Sequence, residues 1–225
     1  MTTDVRAAYR RCEEITWSQA RNFSYGIRLL PPAKRQALAA VYAFARRIDD
    51  IGDGTLPPAE KLAALEEARV GLSANPVGRI VLYVFGSFSP PRAELSDSIC
   101  TALQLAEHWQ DVAEDLHAGR IYLPAQDMDT FGCTEQDLAQ PSAPPQVRKL
   151  IAFETRRAKA LLDAGAPLIG TLRGTARAAV AGYVAGGRAA LAGIAAADHD
   201  VLRATPRPRK RRMAAELALA YVRGR

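Results

Sequence analysis

Aromatic residues make up only 7% of this chain, and the β-branched residues that suit a pleated sheet are also scarce. A sheet-rich sandwich is therefore disfavoured. The three cysteines, Cys12, Cys100 and Cys133, lie far apart without a Cys-x-x-Cys pair. That pattern excludes a disulfide-stapled scaffold and reads as reduced thiols in a cytosolic protein. Histidines number three, and no His/Cys set has the spacing of a zinc site. Long hydrophobic runs are missing too. The longest uncharged apolar stretch, between Arg79 and Arg92, is broken by proline and glycine and is too short to span a bilayer. The opening segment is polar and charged, unlike a signal peptide. A glycine fingerprint for a nucleotide cofactor is absent.

What is present is a chain of 225 residues, 48% hydrophobic and 24% charged, values that exclude disorder and collagen-like fibre. The net charge of +6 is unevenly spread. Residues 201–225 hold eight Lys/Arg and one acid, while residues 1–200 sum to −1. The basic character thus belongs to the C-terminal end and not to a nucleic-acid-binding face. A short basic run of this kind, Arg203 to Arg212, reads as a solvated tail, with attraction to an anionic lipid surface as the alternative.

Helical spacing dominates the rest. Helices are expected over Asp4–Gln19, from Pro31-Pro32 to about Gly52, over Ala59–Arg69, Pro76–Phe88, Ala93–Leu116, Gln146–Leu172, Gly174–Ala197 and Met213–Val222. Leu38, Val41, Tyr42, Ala45 and Ile48 form an inward stripe, and residues 127–145 read as a loop carrying a short helix. The expected architecture is one all-α domain over residues 1–202, followed by a basic tail over 203–225.

Two acidic clusters carry the chemistry. Asp49 and Asp53 are one helical turn apart, beside the inward stripe. Glu107, Asp111 and Asp115 repeat at the same spacing on a later helix, with Gln104 one turn before them, while Leu105, Trp109, Val112 and Leu116 make that helix's apolar face. One acidic pair alone would read as a solvated surface pair. Both clusters, however, lie near helix C-termini, where the macrodipole disfavours negative charge. Carboxylates on two facing helices suit Mg²⁺ left open to phosphate oxygens. Arg46 lies one turn before the first cluster, and Arg120 and Tyr122 follow the second. Arginine can grip phosphate with two hydrogen bonds.

At these residues the chain resembles the squalene/phytoene synthase family of head-to-head trans-prenyltransferases. The resemblance is carried by Asn22-Phe23, Leu29-Leu30-Pro31, the stretch Ala40 to Asp50, and Leu103 through Asp115 running on to Gly119-Arg-Ile-Tyr-Leu-Pro124. Ser73–Arg79 and Trp109-Gln110-Asp111 look most like the bacterial hopanoid branch, associated with squalene formation and with conversion of presqualene diphosphate to hydroxysqualene.

The resemblance implies an isoprenoid-synthase helical bundle around a tunnel. In it Asp49, Asp53, Asp111 and Asp115 would be catalytic and, with Glu107, would hold Mg²⁺. Arg46, Gln104, Arg120 and Tyr122 would meet the diphosphate of farnesyl or presqualene diphosphate, and Phe23 would line the lipid tunnel. Two substitutions depart from the family: Glu107 and Gln110 stand where many members have Asn and Arg. The third departure is a shortage of roughly a quarter of the usual length, about two helices, between Arg69 and Ser73. That loss would expose apolar surface. It leaves open a non-catalytic relative that binds a prenyl diphosphate, a partner synthase or a second copy of itself. Phytoene formation is a lesser alternative. A cytoplasmic protein touching the inner membrane face is expected.

Overall fold

The computed structural model describes residues 3–19, 30–53, 75–206 and 210–223. These residues form helices α1 (Thr3–Gln19), α2 (Pro32–Asp53), α3 (Asn75–Val84), α4 (Pro90–Gln110), α5 (Val112–His117), α6 (Ala125–Phe131), α7 (Glu135–Leu138), α8 (Pro145–Gly165), α9 (Leu168–Thr171), α10 (Gly174–Ala196) and α11 (Lys210–Arg223). No strand occurs among the described residues, in keeping with the all-α expectation. Phe23 and the helix expected over Ala59–Arg69 lie outside the described residues.

Prolines set several helix starts because their fixed φ suits the first turn and their missing N–H is not needed there. Pro90 and Pro91 open α4 after Ser89, and a proline also begins α2 and α8. The sequence expectations need four local corrections. The apolar segment after Pro76 leaves helix at Val84, where Gly86 (φ +61°) turns the chain. Residues 127–145 contain two short helices, α6 and α7, in place of one. The helix expected to reach Leu172 breaks near Pro167 into α8 and α9. The fourth correction, at Asp111, bears on the site and is described below.

The centre of the molecule is α4, which packs on α8, α3 and α10. Trp109 is 1% exposed and joins Leu150, Ile151, Leu162 and Ile194 in one core cluster. Its indole N–H is buried without a partner, which costs about 1–3 kcal/mol. Burying some 200 Å² of indole contributes about 5 kcal/mol, so packing wins at this position. Of the stripe expected on α2, Leu38 is fully buried and Val41 and Tyr42 are half-buried, while the side chains of Ala45 and Ile48 lie outside the described set; Ala39 and Ala43 are buried beside them. α2 packs on α1 and α3.

The α4–α8 crossing is set by Gly165. A Cβ there would stand 2.6 Å from the Leu95 carbonyl and 3.0 Å from the Ile99 amide, and neither backbone group can yield as a side chain would.

α10 is long and apolar enough, by length and composition, to cross a membrane, with mean hydropathy 1.3. Arg177 and Arg188 interrupt its apolar run. Most of its apolar stretch is buried in the core. α11 packs on α10, with Ala220 fully buried and the Arg177 guanidinium 5.0 Å from the centre of the Tyr221 ring. The residues beyond 202 therefore include a docked helix as well as the basic run. Cys12, Cys100 and Cys133 are all free thiols.

One buried acid has a consequence for stability. Glu154 on α8 is 1% exposed and lies beside Asp127, with Arg157 bonded to both carboxylates. Burial pushes its carboxyl up to about 7, the neighbouring Asp127 adds to the rise, and Arg157 opposes it. The folded protein thus keeps a proton that the unfolded chain gives up near the ordinary value of 4.5. Stability from this group is present at low pH and is lost as pH rises through that window. Glu154→Gln should raise the melting temperature by a few degrees at about pH 8 and leave it nearly unchanged at about pH 4.5, as measured by circular dichroism. Gly165→Ala, in contrast, should cost about 1–3 kcal/mol in urea unfolding at any pH, through overpacking.

Candidate active site

The second acidic cluster sits where α4 ends and α5 begins. A single helix was expected over Ala93–Leu116; instead Asp111 (φ −103°, ψ 14°) closes α4 and precedes α5. The hydrogen-bond ladder survives the bend, because Asp111 N–H donates to the Glu107 carbonyl at 3.0 Å and Asp115 N–H to the Asp111 carbonyl at 2.8 Å. Glu107 is exposed, and Asp111 and Asp115 are half-buried. The opposite face holds Trp109 and Val112 in the core, with Leu105 and Leu116 packed against it. The expected division into an apolar face and a carboxylate face is therefore present.

Gly119 explains how Arg120 reaches this edge. Its φ of +73° is a left-handed conformation that glycine adopts without a Cβ penalty. The Arg120 amide then donates to the Asp115 carbonyl at 2.9 Å, a helix-terminating turn that folds the chain back. Arg120 Nη2 donates to Asp115 Oδ1 at 3.1 Å. Two residues on, the Tyr122 ring stacks on His108 with centroids 4.0 Å apart, and Gln104 Nε2 donates to His108 Nε2 at 3.1 Å. Gln104, Asp115, Arg120 and Tyr122 are thus gathered at one edge, with His108 as the bridge. His108 was not among the expected site residues; its place one turn after Gln104 was the available signal.

Beside this edge, α4 and α10 enclose a cleft of about 80 Å³ lined by Leu103, Glu107, Gln110, Tyr183 and Gly186, among others. Gly182 and Gly186, one turn apart, keep it open because no side chain projects from them. Burial pushes the Tyr183 hydroxyl well above its ordinary range, so it stays protonated. Gln110 is buried, and its Nε2 donates to the Pro206 carbonyl. Thr205 Oγ1 likewise donates to Glu114 Oε1 at 2.7 Å. The substitution of Gln110 for the Arg of many family members thus serves to anchor the segment before α11.

The first cluster is only partly placed. Asp49 and Asp53 lie in the last turns of α2, as expected, but their side chains are outside the described set. Arg46 is half-buried one turn earlier. α2 reaches α4 mainly through α3, so the described residues do not place the two acidic clusters face to face. The donor chemistry of the second cluster suits a hard cation, since its ligating atoms are carboxylate oxygens. Among the described residues no group of three or more His, Cys, Asp or Glu side chains is disposed to hold a metal ion. The α4–α5 edge therefore supplies only part of a ligand set.

The sequence pattern of the squalene/phytoene synthase family matches residues 18–72 and 70–214. The junction falls where the shortage of chain was expected. Phytoene synthase from Mycobacterium tuberculosis is 33% identical over 186 residues, which take in 58% of this chain and 62% of that protein. The chain thus spans less than two thirds of that relative's length. Hydroxysqualene synthase from Zymomonas mobilis is 27% identical over 203 residues, covering 64% of this chain and 68% of that one. In fold, the chain is similar to the squalene synthase HpnC from Alicyclobacillus acidocaldarius. The two superpose with a TM-score of 0.74 at 31% identity, covering 88% of this chain and 97% of the other.

The anchoring role of Gln110 is open to direct measurement. Gln110→Ala strands the Pro206 carbonyl and should destabilise the fold by about 1–3 kcal/mol in urea unfolding. Limited proteolysis should then cut sooner between residues 203 and 212. Unchanged stability and cleavage would mean that Gln110 is not an anchor.

Proposed function

The chain belongs to the squalene/phytoene synthase family, and on that footing we propose that it is a Mg²⁺-dependent enzyme of isoprenoid metabolism that ionises a prenyl diphosphate. The step it suits best is conversion of presqualene diphosphate to hydroxysqualene. The observation that carries this reading is the edge formed by Gln104, His108, Asp111, Asp115, Arg120 and Tyr122, which sets carboxylates and a phosphate-gripping arginine beside an apolar cleft.

Asp49, Asp53, Glu107, Asp111 and Asp115 are the carboxylates that would hold Mg²⁺, which when bound offsets the charge of the departing diphosphate. Arg120 pairs with Asp115 in the free protein, which lowers the repulsion among the acids. On binding, its guanidinium would turn to the diphosphate, with Arg46, Gln104 and Tyr122 completing the grip. Apolar walls beside the edge would shield the reacting carbon from bulk water as the C–O bond breaks and diphosphate leaves. One admitted water would add to the rearranged cation and give up a proton, so that hydroxysqualene forms without a reductant. The anchored Gln110 leaves no cation at its position for a second diphosphate, which favours one bulky substrate over two farnesyl diphosphates. The basic run from Arg203 would hold the protein against the cytoplasmic face of the inner membrane, where such products partition.

A second reading has a specific observation behind it. The cleft holds about 80 Å³ among the described residues, well short of the roughly 300–1,000 Å³ of ordinary ligand sites. A shortened relative that binds a prenyl diphosphate without turning it over fits that size. Phytoene formation is favoured in turn by relatives bearing that name.

Incubation with presqualene diphosphate and Mg²⁺, followed by extraction, separates these readings. The proposal expects hydroxysqualene, with Asp111→Asn reducing product at least about 100-fold while the far-ultraviolet circular dichroism is unchanged. Product from farnesyl diphosphate alone would contradict the one-substrate reading. Mg²⁺-dependent binding of a farnesyl thiodiphosphate without product from either substrate would establish the non-catalytic one.

A further inference from the structure

A second cavity among the described residues lies away from the acidic edge. It is a groove of about 820 Å³ between α8, α10 and α11. α10 borders both sites with different faces: Tyr183, Gly186 and Ala190 turn to the small cleft, while Arg188, Leu191 and Ala195 turn to the groove.

The groove is built for two kinds of contact. Leu191 and Ala195 of α10 and Leu219 of α11 supply an apolar wall. At one end lie Thr155 and Arg156 of α8 and His199, just beyond α10. Thr155 is 7% exposed, and its Oγ1 is buried without a hydrogen-bond partner. A helical threonine ordinarily donates back to a carbonyl of the preceding turn. This one does not, and it lines the groove. Leaving a buried hydroxyl unsatisfied is unfavourable by about 1–3 kcal/mol.

His199 is held there by a strained turn. Asp198 and His199 take φ values of +52° and +57°, uncommon for residues with a Cβ. Arg148 pins the turn by donating to the Asp198 carbonyl at 2.9 Å and to Asp200 Oδ2 at 2.7 Å. The Ala143 amide and the Ser142 hydroxyl also donate to Asp200. The charges around the groove leave an anion-seeking end. Asp163 is taken up by Lys159 and by Arg188 at 2.7 Å. Glu216 lies across on α11. Burial disfavours a positive charge on His199; Asp198 opposes this effect, and the Arg156 and Arg148 cations add to it.

We propose that this groove is a second ligand site, separate from the acidic edge, for a single-tailed anionic amphiphile. Its phosphate or carboxylate head sits among Thr155, Arg156 and His199, and its chain lies along Leu191, Ala195 and Leu219. The volume is of the size usual for such ligands. Charge complementarity selects the anion, and the apolar wall selects the tail.

Calorimetry on the full chain in EDTA tests this, because removing divalent cations silences the acidic edge. Dodecyl phosphate, dodecanoate, inorganic phosphate and an uncharged dodecyl glycoside are titrated below their micellar concentrations. One equivalent of dodecyl phosphate or dodecanoate should bind, and the tighter of the two identifies the head group. Inorganic phosphate and the glycoside should each bind at least about tenfold more weakly. Arg156→Gln should weaken the preferred ligand roughly tenfold, the loss expected of one charge-assisted hydrogen bond. Thr155→Val should weaken it as well, without lowering the melting temperature. Failure of both amphiphiles to bind, equal affinity for free phosphate or for the glycoside, or full affinity in Arg156→Gln would overturn the proposal.

Discussion

Helix α4 must satisfy two demands along one rod. Its apolar face carries Trp109 and Ala106 into the core against α8 and α10, and its other face must leave Glu107 and Asp111 in reach of water. Everything that follows in the fold is arranged around that division. Gly165 lets α8 approach the Leu95–Ile99 turn closely, and the bend at Asp111 swings α5 so that Asp115 meets Arg120. A rigid core behind the acidic edge means that its carboxylates are positioned by packing and not by one another.

Charge management follows from the same arrangement. Three acids spaced one turn apart repel, and near a helix C-terminus the backbone dipole adds to the cost. In the free protein Arg120 offsets part of it through Asp115, and the Gly119 turn makes that pairing possible. The C-terminal segment is tied to this region from the other side through Gln110 and Glu114.

The helical layout was legible because apolar residues recur at helical spacing and prolines mark the starts; α1, α2 and α10 fall within a few residues of expectation. The family was legible from the two acidic motifs and the Gly-Arg-Ile-Tyr-Leu-Pro exit. The bend at Asp111 was not, since no proline or glycine marks it. Nor was the role of Gln110, because its partner Pro206 lies 96 residues away and contacts of that range leave no local pattern. Nor was the place of His108, because its stacking on Tyr122 joins residues on either side of the Gly119 turn. The docking of α11 was obscured by the basic run before it, which draws attention to charge, whereas Ala220 does the packing.

The central claim is that the end of α2 and the α4–α5 edge together form one divalent-cation site facing a diphosphate. Mn²⁺ titrated into isotope-labelled protein with a farnesyl thiodiphosphate tests it through distance-dependent broadening of backbone amide signals. The account predicts selective loss of signals around residues 46–53 and 107–122. Broadening confined to one of the two clusters, or spread over the surface without preference, would contradict it.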